Sequence, residues 1–293
     1  MRSDDVVALI TAHARRDDEM FRQIALSIAA NEQRNGRSAG ERLRQAAATL
    51  SDRPAELPTK IAAMVRTPTP TEAVPVLASD LQAHVQRIID EHREADKLRA
   101  VGLAPVGNAM FSGPPGVGKT MTAEWIGSQI GMPTYLIRTE TLISSLLGES
   151  GSNIVALFDE IEQRPGVWVF DEFDSLGVTR STGGRDVGEM LRVTNTMLRC
   201  MDRIRDTHRG VIIACTNVPE MIDGALQSRF DEILQFDVPT PEAVVDLIEA
   251  VAGAIDVDFP SPDATLYAGL SHREIVRDIR RHAKGVMLPS WET

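Results

Sequence analysis

Residues 113–120 read Gly113-Pro114-Pro115-Gly116-Val117-Gly118-Lys119-Thr120. The stretch satisfies G-x-x-x-x-G-K-[ST], a phosphate-binding loop. Its glycines let successive backbone N–H groups turn toward one centre and cradle phosphate oxygens. Lys119 can reach the outer phosphates, and the Thr120 hydroxyl can ligate Mg²⁺. Met121, one residue on, completes the contact set at the start of a helix whose positive end favours anions. The context is what the motif needs. Ala109, Met110 and Phe111 form a short apolar run before the loop, and Met121 to Ile130 reads as a helix closed by Gly131.

Working outward, Val167-Trp168-Val169-Phe170-Asp171-Glu172 is an apolar strand ending in two acids, some fifty residues after the loop. In parallel sheets ligands bind at the carboxyl ends of strands. Asp171 would there hold Mg²⁺, directly or through water, and Glu172 would take a proton from an attacking water. Asp174 reads as a helix-capping or supporting acid. Further apolar strands are predicted at 109–111, 134–138, 211–215 and 232–236, with helices near 120–130, 152–163 and 186–206. Strands with few polar interruptions between amphipathic helices imply an α/β fold, its parallel sheet covered on both faces.

The 293 residues suit one large domain with appendages, and 43% hydrophobic content supports a core, mostly aliphatic because aromatics are only 4%. A formal net charge of −11 disfavours nonspecific nucleic-acid binding, which needs cations to displace counterions. No apolar run reaches membrane-spanning length, and Met1-Arg2-Ser3-Asp4-Asp5 lacks the layout of a secretory signal. A cytoplasmic protein is expected, with Cys200 and Cys215 as buried free thiols.

Four regions are expected. Residues 1–50 form a helical N-terminal region, a packing module or a docking piece, with Met20, Phe21, Ile24, Ala25 and Ile28 at helical spacing. Residues 51–79, with Pro54, Pro58, Pro68, Pro70 and Pro75, read as a linker holding one short helix near 60–65. Residues 80–238, opened by a helix over 80–99, form the α/β core. Residues 239–293 form a small helical lid, with helices at 242–252 and 271–284.

The loop together with Phe170-Asp171-Glu172-Phe173-Asp174 resembles the AAA+ ATPases, and within them the AAA branch, over roughly residues 80–285. The resemblance implies ATP and Mg²⁺ as ligands and a P-loop AAA+ core with a helical lid. It also implies further roles. Asn217, ending the strand 211–215, matches the polar residue that positions the attacking water; alone it would read as a turn Asn. Arg229, in Ser228-Arg229-Phe230-Asp231, matches the arginine finger that reaches a neighbouring subunit's γ-phosphate; the alternative is a surface Arg paired with Asp231. Relatives often carry two arginines there, and here Gln227-Ser228 stands in place of the first. Arg273 matches a lid position that touches phosphates in many AAA+ groups; the alternative is a salt-bridge partner on an exposed helix. Leu146, in Leu146-Leu147-Gly148-Glu149-Ser150, stands where unfoldases place an aromatic pore residue, and 180–188 is a second candidate axial loop.

An arginine finger works in trans, so a homo-hexameric ring is implied. The blocks Glu149-Ser150-Gly151, Leu191–Leu198 and Thr216–Asp223 are similar to the pachytene-checkpoint ATPases, which remodel HORMA-domain proteins and whose bacterial relatives act in anti-phage signalling. The expected function is ATP-driven remodelling of a protein client of this kind. A protease-associated client, a nucleic-acid loader and a nucleotide-gated scaffold are the alternatives.

Overall fold

The computed structural model describes residues 57–69, 73–144, 151–176, 185–255 and 262–287, with Leu9 and a few residues among 24–29. The chain divides into two compact units, 1–57 and 58–293. In the first, Ala25, Ile28 and Ala29 are buried and helical, at the spacing expected of one packed face. The remaining expectations for residues 1–50, including any docking role, lie outside the described residues.

The second unit is built on a six-stranded sheet. Its strands are β1 (Val65–Arg66), β2 (Asn108–Ser112), β3 (Thr134–Ile137), β4 (Gly166–Phe170), β5 (Gly210–Thr216) and β6 (Glu232–Gln235), in the order β1-β3-β4-β5-β2-β6. All neighbours are parallel except β1, which runs antiparallel to β3 at the edge, Val65 opposite Ile137. Every residue of β2, β4 and β5 is buried, as strands covered on both faces require.

The helices are α1 (Thr59–Ala62), α2 (Ser79–Arg93), α3 (Ala95–Ala100), α4 (Lys119–Ile130), α5 (Thr139–Ser144), α6 (Ser152–Gln163), α7 (Arg185–Ile204), α8 (Gly224–Gln227), α9 (Pro241–Gly253) and α10 (His272–Met287). Val85, Ile88 and Ile89 of α2 and Ala123 and Ile126 of α4 pack on Phe111, Val169 and Ile213 of the sheet. Phe158 of α6 stacks near Phe170, with ring centroids 6.0 Å apart. The lid has its own small core: Val244, Leu247 and Ile248 of α9 against Tyr267 and Ile275 and Ile279 of α10.

Two sequence expectations change. The stretch read as a linker contributes structure of its own: α1 and the edge strand β1, with Arg138 N–H donating to Met64 O at 2.8 Å. A two-residue strand is too short to leave an alternating pattern. The single helix expected over 80–99 is two, because Glu94 leaves helical geometry at φ −102°, ψ 18°.

His208, after α7, lies at the α6 side of the sheet. Its Nδ1 is 2.8 Å from Ile161 O, and its Nε2 is buried without a partner among the described residues. Burial pulls its pKa down to about 4 from 6.5, so the ring is neutral in the native chain. Between those values the unfolded chain binds the extra proton, so stability rises with pH. From pH 7 to below pH 4 this group alone is expected to remove about 3 kcal/mol. Urea titrations of wild type and His208→Gln across that range check it: the wild-type curve is the steeper one, and parallel curves would remove His208 from the account.

Candidate nucleotide site

The carboxyl ends of β2, β4 and β5 open on one cleft of about 1610 Å³. Its lining takes in Pro115 to Met121 from the loop, Asp171 and Glu172 after β4, Asn217 after β5, Arg273 from the lid, and residues 73–77. Loop residues 115–121, Asp171, Glu172, Asn217 and Arg273, far apart in the chain, thus face one space.

The loop's shape follows from its glycines. Gly113 sits at φ +145°, and a Cβ there would lie 1.9 Å from Phe236 O. Gly116 sits at φ +83° with Arg273 Cβ 3.1 Å and Ser271 Oγ 3.0 Å from where its Cβ would be. The lid therefore rests directly on the loop, and Arg273 N–H donates to Gly116 O at 3.0 Å. Gly113→Ala forces a backbone atom to move as well as an unfavourable dihedral. We expect a cost of about 3 kcal/mol or more and loss of fluorescent-nucleotide binding, measured by melting and by anisotropy; a native melt with native affinity would contradict the geometry.

Lys119 is buried, and its Nζ donates to Gly113 O (2.6 Å), Pro114 O (2.8 Å) and Asn217 Oδ1 (2.9 Å). These use its three donors. Gly113 and Pro114 are not part of the cleft lining; their carbonyls anchor the lysine instead. Desolvation lowers the Lys119 pKa, opposed by Asp171 and Asp174 and reinforced by Arg273, which places that guanidinium within electrostatic reach of the lysine.

Thr120 Oγ1 donates to Asp171 Oδ2 at 3.0 Å. The Asp171 carboxylate is oriented from behind by Glu172 N–H on Oδ1 (3.0 Å), and Thr139 Oγ1 donates to the Asp171 carbonyl (2.9 Å). A hydroxyl and a carboxylate side by side make a hard two-oxygen set. That fits Mg²⁺, which is held by one or two protein oxygens plus phosphate and water. No cluster of three or more His, Cys, Asp or Glu able to hold a metal occurs among the described residues.

Glu172 is exposed and left-handed, φ 52°, ψ 45°, alone among the described non-glycine residues. Such a conformation in a Glu is uncommon and turns its side chain off the strand line. Asp174, read as a capping acid, accepts from Thr216 Oγ1 (2.9 Å) and Asn217 N–H (3.1 Å). It fixes the end of β5 and so aims Asn217. Under the loop, Cys215 is a free thiol pushed up in pKa by burial, hence neutral; Cys200 is also free and buried.

Arg229 is not in the cleft of its own chain. Its Nε and Nη2 each donate to Asp202 at 3.0 Å, a forked pair on the surface. The alternative partner, Asp231, is otherwise engaged: it accepts from the N–H groups of Gly107 and Asn108 and pairs with Arg205. Arg273 carries no ion pair among the described residues, against its reading as a salt-bridge partner, and lines the cleft. Leu146 to Ser150 and residues 180–184 of the second axial-loop candidate lie outside the described residues.

Sequence reasoning missed two parts of the site. Residues 73–77 carried only proline as a signal. Asp202 sits in the last turn of α7 as one acid among many, and nothing local marks it.

Residues 109–238 match the family described as "ATPase family associated with various cellular activities (AAA)". The chain is 35% identical over 202 residues to the AAA family ATPase y4kL of Sinorhizobium fredii, covering 69% of this chain and 60% of that protein. It is 32% identical over 180 residues to a 26S proteasome regulatory subunit homolog of Methanothermobacter marburgensis, covering 60% and 48%. The chain thus spans about half to three fifths of these relatives' lengths. Among solved structures, the FIGL-1 AAA domain superposes with TM-score 0.64 at 21% identity, covering 79% of this chain and 78% of that one. Its complex with ADP gives the same score, covering 80% and 83%. Residues 109–238 are thus similar in sequence to the AAA family, and the described fold matches that of an AAA domain.

Proposed function

We propose that the chain hydrolyses Mg-ATP and uses the cycle to remodel a protein client. The observation that carries this is the convergence of Lys119, the Thr120–Asp171 pair and Glu172 on one cleft. The relative described as an AAA family ATPase supports the hydrolase part, and the proteasome-regulatory homolog supports a protein client.

In this reading the loop amides and Lys119 bind the triphosphate. To do so the lysine must give up at least one of its three protein acceptors. Exchanging Asn217 Oδ1 for a phosphate oxygen is the least disruptive, because the other two are loop carbonyls. Phosphate binding would then free Asn217, held by Asp174, to orient a water. Glu172 accepts that water's proton as its oxygen attacks the γ-phosphorus and the bond to the β-phosphate oxygen breaks. Mg²⁺, when bound at Thr120 and Asp171, supplies charge neutralisation on the phosphates. Arg229 of a neighbouring copy would stabilise the transition state, which makes a ring, a hexamer in our reading, the working form.

Steady-state phosphate release tests the enzymatic claim. Wild type should turn over in Mg²⁺ and stop in EDTA, and Lys119→Ala should lose both binding and turnover. Turnover in Lys119→Ala equal to wild type would overturn it. For the client, the blocks Leu191–Leu198 and Thr216–Asp223 favour a HORMA-type partner in a bacterial defence system, handled in the cytoplasm. That partner should stimulate hydrolysis and lose amide protection when ATP is turned over; unchanged exchange in the partner would exclude it.

A further inference from the structure

The cleft is larger than one triphosphate subsite. Small-molecule pockets run to about 300–1,000 Å³, and this one holds about 1610 Å³. The excess extends along the lid helix α10, and the wall there is basic. Arg273, Arg277, Arg280, Arg281 and Lys284 all line the cleft. Arg273, Arg277, Arg280 and Lys284 recur at intervals of four, three and four, one stripe on a helix. The stripe runs about 16 Å from the phosphate end outward.

No contact among the described residues accounts for these charges. Arg273, Arg277, Arg280 and Lys284 form no ion pair among the described residues, although Glu274 lies within electrostatic reach of Arg277. Among the described residues Arg281 has only Asp278, at 3.9 Å. Arg273 stands in the first turn, where the helix dipole disfavours a cation. Like charges four apart, at 273/277, 277/281 and 280/284, cost the helix about 0.2–0.5 kcal/mol per pair. The helix α10 holds five Lys and Arg against two acids, in a chain whose net charge is −11. The acids facing the cleft, Asp171 and Glu172, sit at its metal end.

An anionic protein repels an anionic nucleotide at long range. A cleft lined by one sign of charge reverses that locally and raises the rate of encounter by about 10–10³. We propose that the outer stripe, Arg277, Arg280 and Lys284, steers nucleoside triphosphate into the cleft and acts on association rather than on the bound state. This rests on the nucleotide reading of the site. Arg273, beside the loop, is the stripe's contact residue; the outer three lie progressively further along the helix from the phosphates.

The test is stopped-flow binding of a fluorescent ATP analogue with Mg²⁺ at about 50 mM and about 500 mM salt, the second screening charges beyond roughly 4 Å. Arg277→Gln/Arg280→Gln/Lys284→Gln should lower the association rate about tenfold at low salt and match wild type at high salt, with dissociation unchanged. Arg280→Glu, a single reversal, should slow association in the same direction and guards against a fold defect in the triple variant, as does an unchanged melt. Equal association rates at low salt would overturn the steering role. So would a loss seated in dissociation, which would make the residues ligand contacts. Failure of wild type to bind the analogue at all would sink the nucleotide reading itself, and binding with unaltered kinetics would sink only the steering.

Discussion

Glu172→Gln retains ATP and loses turnover by about 10²–10⁴-fold, the span of general-base catalysis. The substitution keeps shape and removes only the ability to accept a proton. Glu172 is exposed and its side chain makes no hydrogen bond among the described residues, so stability should hold within about 0.5 kcal/mol. Its backbone N–H still donates to Asp171 Oδ1, so the Thr120–Asp171 pair stays in place. Binding should therefore be unchanged while phosphate release collapses. Single-turnover quench-flow separates the two: nucleotide is bound at the wild-type rate and remains ATP. A variant that hydrolyses at the wild-type rate would strip Glu172 of its role and move the base elsewhere on the cleft rim.

The left-handed backbone at Glu172 is part of the same argument. Phe170 and Phe173 are both buried, so the chain must reverse within Asp171 and Glu172 while keeping two aromatic side chains in the core. The rings of Phe170 and Phe173 meet edge to face at 6.0 Å, and Phe173 meets Phe230 at 5.9 Å. Strain at one residue is offset by packing on either side. The sequence Phe-Asp-Glu-Phe is legible as motif; that its second acid must be twisted out of the strand is not, because backbone strain leaves no compositional mark.

The same division runs through the rest of the molecule. Strands β2 to β5 could be read from short apolar runs because both sheet faces are covered, and burial on both faces writes itself into every residue; the edge strand β6 buries only Leu234 of its four residues. The loop could be read because only glycine tolerates the backbone at Gly113 and Gly116. The edge strand β1 could not, because two residues carry no period. Contacts made by single polar atoms across long separations were equally hidden. Asp174 clamping Asn217, 43 residues apart, and Asp202 holding Arg229, 27 apart, follow from sheet order and helix placement rather than from local pattern. Lid and loop meet through Arg273 N–H on Gly116 O, a backbone contact to which side-chain identity is indifferent.

Arg229→Ala is expected to lower turnover by about 10³-fold or more, the range for an arginine that stabilises phosphoryl-transfer charge, with ATP binding to the isolated chain unchanged. The geometry makes this effect conditional on assembly. Arg229 lies outside its own cleft, held by both oxygens of Asp202. Arg229 is 33% and Asp202 50% exposed, so solvent screens the pair and it is worth little to the fold, and a competing phosphate from a neighbouring copy can take the guanidinium from it. Turnover per chain should then rise with protein concentration in wild type and stay flat in Arg229→Ala. Mixing gives the sharper readout. Glu172→Gln supplies an intact Arg229, and Arg229→Ala supplies an intact Glu172, so sites formed between the two chains are complete although each protein alone is inactive. Recovered activity on mixing would place the residues on opposite sides of one shared site. Two inactive proteins that stay inactive when mixed, while still assembling, would return Arg229 to the role of a surface arginine paired with Asp202.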